Sequence, residues 1–301
     1  MERDFAKINE QLRDRQRTWF EKIVTSWIKK RDPKSEDKDV SLIERTEDYF
    51  NKSYKSKIYG FSQPFFTGVY SYEDATLPLI MFVGQETNGW GDYSEFDGIA
   101  EIKLSQEYVC EYAFNSIIDK KEKKRFPYIQ KKYDYGIMER SDNSSNTEKE
   151  CPLLYAKVRF WDLIRNVCEK SGREPNIVWT ELDKIHYFYV EKNNKRCVKL
   201  WSEDEKELNE IVDDTNRTML EHEIEIIKPD LVVFLTGPSY AQSMKDALHK
   251  YDLKKPNSDV FVREFSVLNT ACLWTYHPNY LNRANLWDRV IDSIADKIRS
   301  I

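Results

Sequence analysis

Gly84-Gln85-Glu86-Thr87-Asn88 sets a carboxylate and two amides directly after an apolar run, and Thr275-Tyr276-His277-Pro278-Asn279 sets an imidazole after another, far along the chain. A carboxylate accepts hydrogen bonds and carries charge, a neutral imidazole donates one N–H, and an amide does both. Placed at the end of an apolar segment, such groups are held at the edge of a core and not inside it. Two more segments end in the same way: Thr236-Gly237-Pro238 closes a third apolar run, and Glu181 lies near the end of a fourth. Donors and acceptors drawn from four segments make a polar rim, the kind of place where a ligand is bound or a bond is cleaved.

The elements that must position these residues follow from the pattern of apolar residues. LPLIMFVG (77–84), NIVWTEL (176–182), DLVVFLTG (230–237) and ACLWTYHP (271–278) are short continuous apolar runs separated by helical segments. That is the mark of parallel strands covered on both faces. Residues 154–170, 203–228, 239–250 and 284–299 supply helices. In such an open α/β sheet, ligands bind beyond the carboxyl ends of the strands, so the four polar endings converge on one edge. Upstream, Phe5, Ile8, Leu12, Trp19, Phe20, Ile23, Val24, Trp27 and Ile28 recur at helical spacing. They predict an amphipathic helix or helical pair over 1–31, stopped by Asp32-Pro33. PKSEDKD (33–39) reads as a polar connector, a helix is expected around 41–54, and ERSDNSSNTEKE (139–150) reads as a loop. The expected division is an N-terminal helical extension, 1–54, and an α/β domain, 55–301.

Composition narrows the class. A chain of 301 residues, one third charged and 14% aromatic, has enough apolar bulk for a full core under a polar surface. No apolar run approaches the roughly 20 residues of a membrane span, and the charged start MERDFAKINEQLRDRQ lacks a signal-peptide core. A cytoplasmic protein is expected. Cys110, Cys151, Cys168, Cys197 and Cys272 are scattered and odd in number, and the four histidines, His186, His222, His249 and His277, lie at no ligand spacing. Reduced thiols, no metal and no cofactor are expected. The net charge of −5 argues against a global nucleic-acid footprint but leaves room for a local one.

The motifs resemble those of the uracil-DNA glycosylase superfamily. Its members carry a strand ending in Gly-Gln-Asp-Pro-Tyr or a variant, then Pro-x before an apolar run ending in Gly, then a late strand ending in His-Pro-Ser. Here stand Gly84-Gln85-Glu86-Thr87-Asn88, then Pro229-Asp230 before LVVFLTG, then Ala241-Gln242, then His277-Pro278-Asn279-Tyr280-Leu281-Asn282-Arg283. The resemblance covers roughly 75–299, in order. It implies a three-layer α/β/α sandwich around a mainly parallel four-stranded sheet, and DNA as the partner. The cysteines of the iron–sulfur branch are missing. Three positions depart from the family: Glu86 replaces its water-activating Asp, Asn88 replaces the Tyr that blocks 5-substituted pyrimidines, and Glu181 stands where a base-reading Asn is expected, three residues before Lys184.

The resemblance implies hydrolysis of the N-glycosidic bond of a flipped pyrimidine. Glu86 would stabilise the cationic sugar and orient water, and His277 would donate to the pyrimidine O2 as negative charge grows there. Gln85 and Asn88 belong to the same base pocket. Glu181, if ionised, only accepts; it would fit the exocyclic amino group of cytosine and repel the uracil O4. With a small Asn88, a substituent at C5 fits as well, as in altered viral DNA. The plain readings are a surface or capping acid for Glu86, a satisfied strand-end histidine for His277, and a surface acid in a shifted register for Glu181. An ordinary uracil repair enzyme and a binding protein that has lost catalysis are the rival functions.

Trp90 and Phe96 are candidates to stack on the flipped base, and equally for core. By the resemblance Leu281 is the wedge that enters the duplex. Asn279, Arg283, Ser239 and the backbone after Gly237 would hold phosphates; a C-capping salt bridge is the plain reading for Arg283. Basic segments 119–132 and 191–199 are candidates for the DNA backbone, and acidic 201–215 would face away. The N-terminal helices would cover the sheet edge or dock a protein partner.

Overall fold

The structure is a computed structural model that describes residues 3–31, 57–61, 65–86, 106, 109, 110, 113, 159–184, 187–191, 196–199, 216–248 and 250–301, with backbone alone for 23–31, 57–61, 86, 187–191 and 196–199. Asn88, Trp90, Phe96, the helix expected at 41–54, the loop 139–150 and the basic segment 119–132 lie outside the described residues.

The elements in chain order are α1 (Phe5–Arg31), β1 (Lys57–Phe61), β2 (Leu79–Glu86), α2 (Arg159–Ser171), β3 (Asn176–Asp183), β4 (Tyr187–Glu191) and β5 (Arg196–Lys199), followed by α3 (Met219–Ile227), β6 (Leu231–Phe234), α4 (Ala241–Ala247), β7 (Val262–Val267), β8 (Thr270–Thr275), α5 (Pro278–Arg283) and α6 (Trp287–Arg299). The main sheet runs β3-β2-β6-β8-β7. The first four strands are mutually parallel and are the four apolar runs of the sequence. Each is buried on both faces, because β2, β3, β6 and β8 alternate their side chains between two separate core clusters. A fully buried Ile, Leu or Phe of this kind contributes about 1.5–3 kcal/mol.

On one face, Ile80, Phe82, Ile177, Trp179, Leu231, Val233 and Leu273 pack under α2 and α6 through Trp161, Ile164, Val290, Ile294 and Ile298. On the other, Met81, Val83, Val178, Val232, Phe234 and Trp274 pack under α1, α3 and α4 through Phe5, Leu12, Leu220, Ile224 and Met244. Helix α1 is thus a component of the domain core. It is tied down by Arg3, whose guanidinium meets Asp230 Oδ2 at 2.6 Å and the Leu77 carbonyl at 3.1 Å, and by Gln16, which donates to the Thr67 carbonyl at 2.8 Å.

The expected four-stranded sheet needs correction. The sheet has five strands, not four: β7 adds an antiparallel edge, joined to β8 by a two-residue turn with Leu268 and Asn269 both at positive φ, 50° and 65°. Its sequence, VREFSV, mixes charged and polar residues with apolar ones, as an edge strand half open to water should, and so escapes a search for continuous apolar runs. A separate antiparallel sheet, β1-β4-β5, also stands apart from the expected set. The helix expected over 284–299 is α6, which starts three residues later at Trp287, after α5 has ended at Arg283 and Asn285 has taken φ 55°. Where a helix was expected from 203 to 228, the described part starts only after Thr218, whose side chain and Glu221 form a reciprocal capping box. Among the described residues no helix is long and apolar enough to cross a membrane.

Candidate functional site

The parallel register sets the level of every strand end. Val83, Phe234 and Trp274 form one row across β2, β6 and β8. Three residues further on in these segments come Glu86, Gly237 and His277. Beyond the paired row, Leu235 N–H donates to the Val83 carbonyl and Gly237 N–H to the Thr275 carbonyl, both at 2.9 Å. His277 is still extended, at φ −61° and ψ 139°. The backbones of Glu86 and His277 therefore lie at the same carboxyl edge, at the ends of strands two spacings, or about 10 Å, apart, with the β6 ending between them. Gln85 closes the gap from one side, its amide donating to the Thr236 carbonyl at 2.7 Å.

Gly237 is required at the centre of this edge. Its φ of 76° is a conformation that side chains disfavour, and a Cβ there would lie 3.3 Å from the His277 backbone nitrogen. The missing side chain lets the β6 ending lie against the β8 ending. His277 caps α5: its Nδ1 accepts from the Asn279 N–H at 3.3 Å. With Nδ1 an acceptor, a neutral ring carries its proton on Nε2.

Glu181 pairs with Gly84 across β3 and β2 and is 6% exposed. It is not a surface acid. Its Oε1 accepts from the Trp179 indole N–H at 2.9 Å. A Cβ on residue 84 would lie 2.2 Å from its Oε2, so the carboxylate occupies the space above Gly84 that any other residue would fill. Trp179 belongs to an aromatic group with Phe65, Phe160 and Trp161, at centroid distances of 4.6, 6.3 and 5.2 Å. A buried carboxylate is costly unless hydrogen-bonded, and the indole contributes one such bond.

Lys184 faces the opposite way. Its Nζ meets Glu223 Oε2 at 2.5 Å and also donates to the Thr180 hydroxyl, which donates to the same carboxylate at 2.8 Å and accepts from Thr67 at 2.5 Å. Thr180, Lys184 and Glu223 alike are buried. Burial pushes the Lys184 ammonium down and the Glu223 carboxyl up from their ordinary values, and their mutual attraction opposes both shifts. This network lies beneath the sheet end and supports the β3 terminus; it does not face the rim.

The remaining expected residues divide. Ser239, Asn279 and Arg283 are exposed, and Gly237 is buried. The Arg283 Nε–H donates to the Asn279 carbonyl at 3.2 Å, a hydrogen bond at the helix end and not the salt bridge of its plain reading. Leu281 is 0% exposed and packs in the core with Val290 and Ile291. That placement disagrees with a wedge pointing at a duplex, because withdrawing it would open the core under α5 and α6. Its neighbour Tyr280 is the exposed one, at 43%, stacked on Tyr276 at 4.6 Å and 17°. Sequence reasoning missed Trp179 and Gly84 as the setting of Glu181. The signal was there: residues two apart on a strand share a face. Among the described residues no group of three His, Cys, Asp or Glu side chains is placed to hold a metal ion. Burial pushes the thiols of Cys168 and Cys272 up to about 12, which leaves them poor nucleophiles.

No protein-family model matches this chain, and no curated protein matches it.

Proposed function

We propose that this protein is a DNA glycosylase that hydrolyses the bond between C1′ of a flipped nucleotide and N1 of a pyrimidine, with water as the only co-reactant, and that the base is a cytosine, including one substituted at C5. The observation that carries the reading is that the segments ending in Glu86, Gly237 and His277 leave three adjacent parallel strands at one carboxyl edge. Two backbones about 10 Å apart, one bearing a carboxylate and the other an N–H donor, leave room for one nucleoside between them. In the proposed step the C1′–N1 bond breaks with its electron pair leaving on the base. His277 donates a hydrogen bond to O2 of the departing anion, Glu86 stabilises the cationic sugar, and water adds its oxygen to C1′ while giving up a proton. The base is assigned from Glu181, a buried carboxylate on the neighbouring strand end, which as an anion can only accept.

The test uses single-stranded and duplex oligonucleotides carrying cytosine, 5-methylcytosine, 5-hydroxymethylcytosine or uracil, with alkali-labile abasic sites as the readout. Abasic product from a cytosine substrate is expected. Glu86→Gln and His277→Ala are each expected to slow it about 100- to 1,000-fold, the usual loss when one transition-state contact is removed. No abasic product from any substrate would leave a binding protein on the same scaffold.

A further inference from the structure

Beside the rim, on the face covered by α2 and α6, arginines and aromatic rings alternate along one edge. Helix α2 precedes β3, so its first residue, Arg159, lies at the carboxyl end of the sheet; α5 and α6 leave β8 at that same end and pack against α2. The Arg159 guanidinium lies 5.8 Å over the Trp287 ring. The Arg289 guanidinium lies 4.4 Å over Phe261, whose carbonyl accepts from the Thr275 hydroxyl at 2.9 Å, two residues before His277. Arg283 and Tyr280 belong to α5, which leaves β8 at this end, and the Tyr280 ring is stacked on Tyr276 and 43% exposed. Arg159, Arg283 and Arg289 are all exposed. Asp162 lies 3.7 Å from Arg159, and Asp288 and Asp292 share α6 with Arg289; Arg283 and Arg289 form no salt bridge among the described residues.

We propose that this edge is the path of the nucleic-acid strand that flanks the flipped nucleotide, with Tyr280 stacking on an unpaired base and Arg283, Arg289 and Arg159 meeting successive phosphates. The inference rests on the glycosylase reading and adds where the strand runs. The chemistry favours a single strand over a duplex. Exposed rings take unstacked bases of any sequence, and a guanidinium held flat over a ring keeps its edge free for phosphate oxygens. The local charge also answers the chain's net −5: attraction need only be local to steer a polyanion.

The experiment measures binding of fluorescein-labelled oligothymidylate and of a duplex of equal length against salt, by fluorescence anisotropy, for the full-length protein and for R159Q/R289Q and Y280A. The wild type is expected to favour the single strand. R159Q/R289Q is expected to flatten the plot of log affinity against log salt by about 1.4, at roughly 0.7 per phosphate contact. Y280A is expected to lose about tenfold in affinity with the slope kept, and Y280W to regain it. All three positions are exposed, so near-ultraviolet spectra matching the wild type will confirm folding. If the wild type binds and both variants match it in slope and affinity, this path is wrong while the glycosylase reading stands. A wild type that binds neither oligonucleotide sinks both.

Discussion

If the protein is the cytosine glycosylase proposed above, exchanging Glu181 for asparagine is expected to turn it toward uracil, with a change in the ratio of the two kcat/KM values of about 10,000-fold or more. The size follows from burial. At 6% exposure, with one oxygen held by Trp179, the carboxylate cannot turn away to water when the wrong base enters. Facing O4 of uracil, two acceptors would meet in a dry pocket; facing N4 of cytosine, each donor hydrogen finds an oxygen. Asparagine offers one donor and one acceptor and reverses the preference. A companion substitution reaches the same carboxylate by steric means. Gly84→Ala would place a methyl 2.2 Å from Oε2, expelling the side chain from its seat. A cost of about 1–3 kcal/mol in stability and the loss of base preference should follow, and pairing it with Glu181→Ala should recover much of the stability. Competition assays on mixed oligonucleotides give the ratio directly. A Glu181→Asn variant with the parent's preference would remove Glu181 from base recognition, leaving it a structural acid.

The second large effect is on stability. Lys184→Ala or Glu223→Ala alone should cost about 3–5 kcal/mol, because each strands a buried opposite charge. The pair is deep: Lys184 and Glu223 side chains are 3% and 0% exposed, and Thr180 bridges them. Replacing both, as K184M/E223L, should be far milder, since an apolar pair of similar volume no longer carries the desolvation cost. Urea denaturation of the three variants measures this. Single losses that simply add in the double would show that the ammonium and carboxylate do not act as a unit. The outcome also bears on the site, since Lys184 follows β3 directly and its carbonyl accepts from the Phe65 N–H at 2.8 Å, fixing the strand end that carries Glu181.

How much of this was legible in the linear chain can be judged strand by strand. The runs at 77–84, 176–182, 230–237 and 271–278 became β2, β3, β6 and β8 because a strand buried on both faces must be apolar at every position, a signal that needs no partner to be read. The joining of their polar endings at one edge was legible for the same reason, since parallel strands linked by helices all end on one side. Edge strand β7 was hidden by its charged and polar residues.

Side-chain direction belonged to the tertiary structure alone. Leu281 and Tyr280 are adjacent and both apolar enough to serve as a wedge; only the packing of α5 over α6 buries the first and exposes the second. Glu181 and Lys184 sit three residues apart, yet one lies above Gly84 on the face of α2 and the other joins Glu223 on the face of α3. A local pattern states which residues will be apolar or polar, because that depends on each residue's own transfer from water. Which partner a buried charge meets depends on strand register and helix docking, and those are set by segments distant in the chain.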